Sequence, residues 1–537
     1  MIKKIDANLK FIKSNKFKII FYITIFLHLA LSIHFIKNIY QECDSAGVYY
    51  LIKNFPQSVR DYASWSYSTS AKAEFYKNIR LNYLDYVQNI SLPDPIQSAL
   101  ALAWGSTYSP GVGFLYGFLW NKNIGFSSFI HNAILLNIMI VHICALLIYK
   151  IFKNFDYKSS VYFSTPLIFL FSSSIYSYQY HLGSTIWNIC SGIIFLYFYS
   201  KNYGHNEKKS NKTLAIVGSI LLFFSYLSVL YWITYILQRS HKIITADERI
   251  KKISMLFKDN ITYILSLVII IVLFYQPDQG VRGRLSDGNI GDGLYYLLLN
   301  FLSIYNESPA LNFIQFSFIL ITLVIGLLTA FIIIKKNADN LKAINSFAIT
   351  FFFVFFLFLV SKKLAIAPSR HILFLLPILY VYVSNTINLI KFQSKISIFV
   401  YFALIIVGIF SNVIRSEQLK DNSLNLSKIE NIKKYSSVLI NDCSLSLINS
   451  KFLVGASIKS INSSYHLESG KHLYLSDTKD LDRNDLKLNN IDNDIDNAYI
   501  NKLFKINSNK TFLPFSPYNY AHDRPNNFYA YELIVIK

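Results

Sequence analysis

The sequence predicts an α-helical polytopic membrane protein with a small extracytoplasmic α/β domain at its C-terminus. Three observations carry this reading. Hydrophobic residues make up 53% of the 537 residues and charged residues only 15%, with a mean hydropathy of +0.34; a soluble domain does not carry so little charge over so many apolar runs. Many of those runs reach the roughly 20 residues that a bilayer-spanning helix needs. The net charge of +21 is also unevenly placed. From Arg415 onward there are 16 basic and 14 acidic side chains, a balance of +2, so nearly all the excess lies among the apolar segments. There it sits in clusters between runs, at Lys3–Lys18, Lys150–Lys158, Lys201–Lys212, Lys335–Lys336 and Lys391–Lys395. That is the positive-inside pattern that orients membrane helices, and it argues against a nucleic-acid partner.

The N-terminus is basic and then apolar from Ile19 to Ile36, with Lys37 following and no small-residue cleavage site. This reads as an uncleaved first helix with its N-terminus in the cytoplasm. Further spans are expected over about 128–149, 160–178, 185–200, 257–274, 311–334, 345–361, 372–390 and 396–413. Ser98–Trp120 is only half apolar and is interrupted by Gly105, Pro110, Gly111 and Gly113, so it reads as a surface or half-inserted segment. The run 213–237 has basic clusters on both sides, which a tight pair of short helices would keep on one face. The total is about eleven crossings. Loops 37–127 and 275–310 and the tail then face outward, dividing the chain into a membrane domain over 1–414 and an extracytoplasmic domain over 415–537. The tail alternates Ser437–Ile440, Lys451–Val454, Leu473–Leu475 and Leu533–Ile536 with Asn-, Asp- and Ser-rich turns, as a small α/β or β-rich domain does.

Cys144 and Cys190 lie in apolar spans and read as packing residues. Cys43 and Cys443 both fall on the expected outer side, where a disulfide is permitted but spacing alone does not pair them. No Cys/His spacing suggests zinc. Asp492, Asp494 and Asp496 alternate in the tail, as an exposed acidic turn or a calcium loop would.

Glu42 and Asp44 follow the first span directly. Carboxylates at that place either mark the membrane interface or serve chemistry at the outer surface. Tyr40, Tyr49, Tyr50 and Trp65 fit an interfacial aromatic belt. Arg370 and His371 precede a late helix, where an Arg fork suits phosphate or snorkels to headgroups, and His371 can also cap the helix. Gly280, Gly283, Arg282 and Arg284 form a flexible basic loop that can fold over a phosphate or serve as an ordinary turn. His181 lies in another expected outer turn.

Three motifs, in this order, resemble the GT-C fold of polytopic glycosyltransferases, among them the dolichyl-phosphate-mannose protein mannosyltransferases, the bacterial aminoarabinose transferases and O-antigen-modifying enzymes. Asp44-Ser-Ala-Gly-Val-Tyr49 is similar to that family's Asp-x-x-x-Tyr element, one residue longer. Tyr108-Ser-Pro110-Gly-Val-Gly-Phe-Leu-Tyr116 resembles its Pro-Pro-Leu-Tyr-like stretch with one Pro. Ser369-Arg370-His371-Ile-Leu-Phe-Leu-Leu-Pro377 resembles the start of its late Arg-Tyr-Leu-Leu-Pro-like helix. The resemblance covers residues 1–415. It implies transfer of a sugar from a polyprenyl-phosphate carrier to a cell-surface glycan or lipid, at the periplasmic face of a bacterial inner membrane. Asp44 would be the catalytic base, with Glu42 as substitute or as partner to a Mg²⁺ or Mn²⁺ ion. Arg370, His371, Arg282 and Arg284 would hold the donor phosphate, and Tyr49, Tyr108 and His181 would contact donor or acceptor. An O-antigen or capsule polymerase is the nearest alternative. A lipid-linked glycan flippase or transporter is a further one, disfavoured because the expected spans lack central charges.

Overall fold

The computed structural model describes residues 2–36, 48, 51–52, 55–59, 78, 82, 95–105, 109–120, 129–203, 207–244, 249–274, 309–336, 339–360, 373–389, 395–418, 435–440, 458–460, 469–476, 498–507 and 527–535. Helices dominate: α1 (Ile2–Phe35), α2 (Pro95–Gly105), α3 (Pro110–Trp120), α4 (Phe129–Asn154), α5 (Ser159–Phe171), α6 (Ser173–Tyr178), α7 (Thr185–Asn202), α8 (Glu207–Phe224) and α9 (Ser228–Ile244). They continue with α10 (Arg249–Asp259), α11 (Ile261–Ile269, prolonged by a π-helical turn Ile270–Phe274), α12 (Pro309–Lys335), α13 (Asp339–Val360), α14 (Leu376–Leu389) and α15 (Lys395–Gln418). Among the described residues, four helices are long and apolar enough to cross a membrane, or up to five if the bent pair α10–α11 is one span. Shorter apolar helices lie at Ser159–Phe171, Ser210–Phe224, Leu373–Leu389 and Tyr401–Ile414.

Three features refine the expected spans. The stretch 98–120 is two 11-residue helices, α2 and α3, each opened by a proline whose missing N–H costs nothing at a first helical position. At about 1.5 Å per residue each is roughly 16 Å long, short of a crossing. They pack backbone to backbone, because a Cβ on Gly113 would stand 2.9 Å from Ala99 Cα. The run 213–237 is the expected pair of helices, α8 and α9, broken at Ser225–Leu227. The predicted span 160–178 is interrupted at Ser172, whose ψ of 125° leaves the helix. Across that break the Leu170 carbonyl accepts from Asn412 Nδ2 at 3.3 Å.

Contacts fix how the helices run. Phe21 meets Tyr149 with ring centroids 5.4 Å apart, and His28 meets His142 at 5.1 Å, so α1 and α4 are antiparallel. Tyr401 packs on Phe17, and Asn412 bonds to His28, so α15 runs with α1. Tyr157 donates to Asn385 Oδ1 at 2.7 Å, Thr165 bonds to Ser384 at 2.9 Å and Phe169 faces Tyr380, so α14 runs against α5. One end of the bundle therefore carries Ile36, the start of α4, the turn 179–184 and the exit from α15. At the other end, Asn340 donates to Asp156 Oδ2 at 2.5 Å, Lys158 Nζ to the Asn388 carbonyl at 2.5 Å and Asn154 to Ser200 at 3.1 Å. Lys150, Lys153, Lys158, Lys201, Arg239, Lys335, Lys336 and Lys342 belong to that basic end.

Beyond α15 lies a five-stranded sheet: β1 (Ser437–Ile440), β2 (Ile458–Ser460), β3 (Gly470–Ser476), β4 (Ala498–Asn507) and β5 (Asn527–Val535), in the order β2-β1-β3-β5-β4. β1 pairs in parallel with β2 and β3, while β5 pairs antiparallel with β3 and β4. Among the described residues, Leu439, Leu473, Tyr474, Tyr531 and Leu533 are its buried hydrophobic side chains, and Ser437 and His472 are buried beside them. Ser437–Ile440 forms β1, Leu473–Leu475 lies within β3, and Leu533–Val535 of a third apolar run ends β5; Lys451–Val454 and Ile536 lie outside the described residues. Tyr435 lies against Glu532, and burial first, then that carboxylate, raises its phenol above the ordinary tyrosine value.

Candidate functional site

Of the candidate site residues, His181 is described; Cys144 and Cys190, read from the sequence as packing residues, are buried. Glu42, Asp44, Tyr49, Tyr108, Arg282, Arg284, Arg370 and His371 lie outside the described residues, as do Cys43, Cys443 and Asp492–Asp496. Their described chain neighbours can be placed, and these converge on the end of the bundle away from the basic clusters.

Glu42 and Asp44 follow Ile36, which ends the first helical segment. Ser32, one turn earlier on α1, accepts from Gln179 Nε2 at 3.2 Å through its hydroxyl and from Tyr180 OH at 3.1 Å through its carbonyl. Tyr108 precedes Ser109 and α3. There a Cβ on Gly111 would stand 2.8 Å from the Phe223 carbonyl, and Tyr116 OH donates to Asn137 Oδ1 at 3.4 Å. Loop 275–310 follows Phe274, whose ring lies 6.4 Å from that of Phe223. Arg370 and His371 precede Leu373 and Phe374, and the Phe374 carbonyl accepts from Tyr231 OH at 2.8 Å. Phe223 and Tyr231 flank the α8–α9 turn, where Ser225 Oγ donates to Asn188 Oδ1 at 2.7 Å and ties the turn to the start of α7.

His181 belongs to the same end but is 5% exposed, which argues against a freely reachable ligand. Its carbonyl accepts from Asn137 Nδ2 at 2.8 Å, and its ring lies 5.5 Å from that of Tyr178. Asn137 Oδ1 also accepts from Trp187 Nε1 at 3.1 Å. The local role of this turn is to bind α3, α4 and α7 together.

A second polar cluster, passed over in the sequence, lies deeper. His142 Nδ1 is 2.7 Å from the Ile138 carbonyl, so that nitrogen carries the proton. His142 Nε2 is then the acceptor for His28 Nδ1–H at 2.9 Å. His28 Nε2 in turn accepts from Asn412 Nδ2 at 2.8 Å, whose second N–H reaches the Leu170 carbonyl at 3.3 Å. Ser416 donates to the Asn412 carbonyl at 2.9 Å and bonds to Tyr176 OH, which is 3.1 Å from Tyr180 OH. From the Ile138 carbonyl to the Asn412 carbonyl, every hydrogen bond is satisfied with both imidazoles neutral. The cluster joins α1, α4, α5, α6 and α15, and the signal for it was a histidine near the middle of each of two long, mainly apolar runs. Replacing His28 by Leu is expected to destabilise the protein by about 1–3 kcal/mol, because His142 and Asn412 lose a buried partner. In thermal unfolding of the purified protein, His28→Leu/Asn412→Leu should cost less than the sum of the single changes.

Among the described residues no group of His, Cys, Asp and Glu is arranged to hold a metal ion. No family model, curated protein or solved structure matches the chain.

Proposed function

We propose that the chain is a membrane glycosyltransferase of GT-C type, transferring a sugar from a polyprenyl-phosphate carrier to a cell-surface glycan or lipid acceptor. One observation carries the reading. The segments bearing Glu42 and Asp44, Tyr108, Arg282 and Arg284, and Arg370 and His371 all adjoin described residues at one end of the bundle, while Lys150, Lys153, Lys158, Lys201, Lys335 and Lys336 belong to the other. Under the positive-inside rule the lysine end faces the cytoplasm. The carboxylates and arginines then belong to the periplasmic face of a bacterial inner membrane, with about eleven crossings. The sheet that follows α15 then belongs to an extracytoplasmic C-terminal domain.

The chemistry needs a base and a cation. Asp44 takes the proton of the acceptor hydroxyl, whose oxygen attacks the anomeric carbon. The bond from that carbon to the carrier-phosphate oxygen breaks, and the electron pair leaves with the phosphate. Arg370, assisted by His371, Arg282 and Arg284, stabilises the charge that develops there. Attack from the face opposite the leaving group inverts the anomeric centre.

The test is the mass and chain length of the surface glycan from a deletion strain with and without the wild-type chain. Loss of one sugar per repeat at unchanged chain length supports a transferase. Collapse to a single repeat unit overturns it in favour of a polymerase.

A further inference from the structure

α10 does not continue the line of the helix that follows it. The two meet at an angle of 55°, and polar contacts build the corner. Asn260 Nδ2 donates to the Leu256 carbonyl at 2.8 Å, Trp232 Nε1 donates to Asn260 Oδ1 at 3.2 Å, and Asn211 Nδ2 reaches Asp259 Oδ2 at 3.5 Å. These partners fix the depth of the corner. Asn211 is in the first turns of α8, among Lys208, Lys209 and Lys212 and three residues before Leu214, where the apolar run of that helix begins. Asn211 also pairs with Tyr235, whose hydroxyl accepts from Arg239 Nε at 3.4 Å. Just past the corner, the rings of Trp232 and the buried Tyr263 stack with centroids 4.0 Å apart and hold α11 against α9. The corner is level with the polar, basic rim of the bundle.

The composition of α10 suits that level. Ile250, Ile253 and Phe257 recur at i, i+3 and i+7 on one face and are 86%, 51% and 60% exposed, while Leu256 is buried against the bundle. Arg249, Lys251, Lys252 and Lys258 fall within the same 11 residues. As half of a broken span the helix would carry four cations toward hydrocarbon, at about 2.5–3.5 kcal/mol for each one reaching the centre. In free solvent it would leave a three-residue apolar stripe in water. Lying flat in the headgroup layer satisfies both faces.

We propose that α10 is an interfacial helix that seats Ile250, Ile253 and Phe257 at the acyl boundary and gathers anionic phospholipid headgroups with its basic residues. This inference is independent of the catalytic reading.

The experiment uses the full chain in lipid nanodiscs, with an environment-sensitive fluorescent amino acid placed singly at Ile253, Phe257 or Lys251. Blue-shifted emission at Ile253, quenched best by lipids with a nitroxide near the headgroup, is expected, with Lys251 remaining water-like. Phe257 gives the same readout where the Ile253 variant does not fold. Water-like emission at both apolar positions overturns the proposal, and so does strongest quenching by a nitroxide at the acyl terminus, which would make α10 part of a span. Native mass spectrometry of the protein from mixed phosphatidylglycerol and phosphatidylcholine nanodiscs tests the charge. Lys251→Gln and Lys258→Gln should each lower retained phosphatidylglycerol about fivefold. Unchanged retention in both would overturn the anionic preference.

Discussion

Asp44→Asn is expected to lower the rate of sugar transfer by about 10²–10⁴-fold, the range that a positioned general base contributes. The amide keeps the size and shape of the carboxylate, so the fold and the amount of protein in the membrane should not change. On the proposed reading, what disappears is the acceptor for the hydroxyl proton, without which the attacking oxygen stays a poor nucleophile. On the same reading, Arg370→Ala acts on the other side of the reaction, leaving the departing phosphate without a guanidinium partner. Its cost should also fall on turnover, since charge on the bridging oxygen grows as the bond breaks. The measurement is initial transfer rate with purified chain, polyprenyl-phosphate sugar and acceptor, each variant matched for protein by quantitative blot. Wild-type turnover in Asp44→Asn would remove the residue from catalysis, and a matching deficit in Glu42→Gln alone would move the base to Glu42.

Apolar length and basic punctuation made most of the helices legible, because a bilayer imposes both on the sequence. Ser98–Trp120 could be recognised as broken because Gly105 and Pro110 interrupt it with residues that helices exclude from their interiors. The break at Ser172 was not legible. Pro166 is the apparent helix breaker in that run but lies inside α5, while the interruption falls six residues later, where Asn412 on a distant helix takes the Leu170 carbonyl. The 55° corner at Asn260 depends in the same way on Asn211 and Trp232 from two other helices. In the tail, β1, β3 and β5 contain apolar runs, but β4 carries Lys502 and Lys505 and so offers no run to find. The carboxylates and arginines of the proposed site rest on residue type and place in the sequence alone, since they lie outside the described residues. The His28–His142 pair was not legible, since each histidine alone looks like a tolerated polar residue and only the packing of α1 on α4 brings them together.

Gly326→Ala is expected to be among the most destabilising single changes in the membrane domain, at about 3 kcal/mol. α12 and α14 touch at this glycine without intervening side chains. A Cβ there would stand 2.6 Å from the Tyr382 carbonyl carbon and 3.0 Å from its Cα, and closer still to its oxygen. The obstacle is backbone, so no rotamer change relieves it and the helices must separate. Separation strains three further contacts: Asn385 Nδ2 to the Gly326 carbonyl at 3.2 Å, Asn385 Nδ2 to Asn345 Oδ1 at 2.6 Å and Thr386 Oγ1 to the Thr322 carbonyl at 2.7 Å. Small residues take such positions in membranes because close packing and interhelical hydrogen bonds, rather than hydrophobic burial, hold helices together. Gly408 provides the contrast. The atoms nearest its added Cβ belong to the Phe171 ring, with Cε2 at 2.8 Å, so Gly408→Ala should be rescued in part by Phe171→Leu. Reversible unfolding in detergent distinguishes the two positions. A loss at Gly326 that Tyr382→Ala restores would show that the obstacle is the tyrosine side chain, and the backbone contact between α12 and α14 would not be what holds them in register.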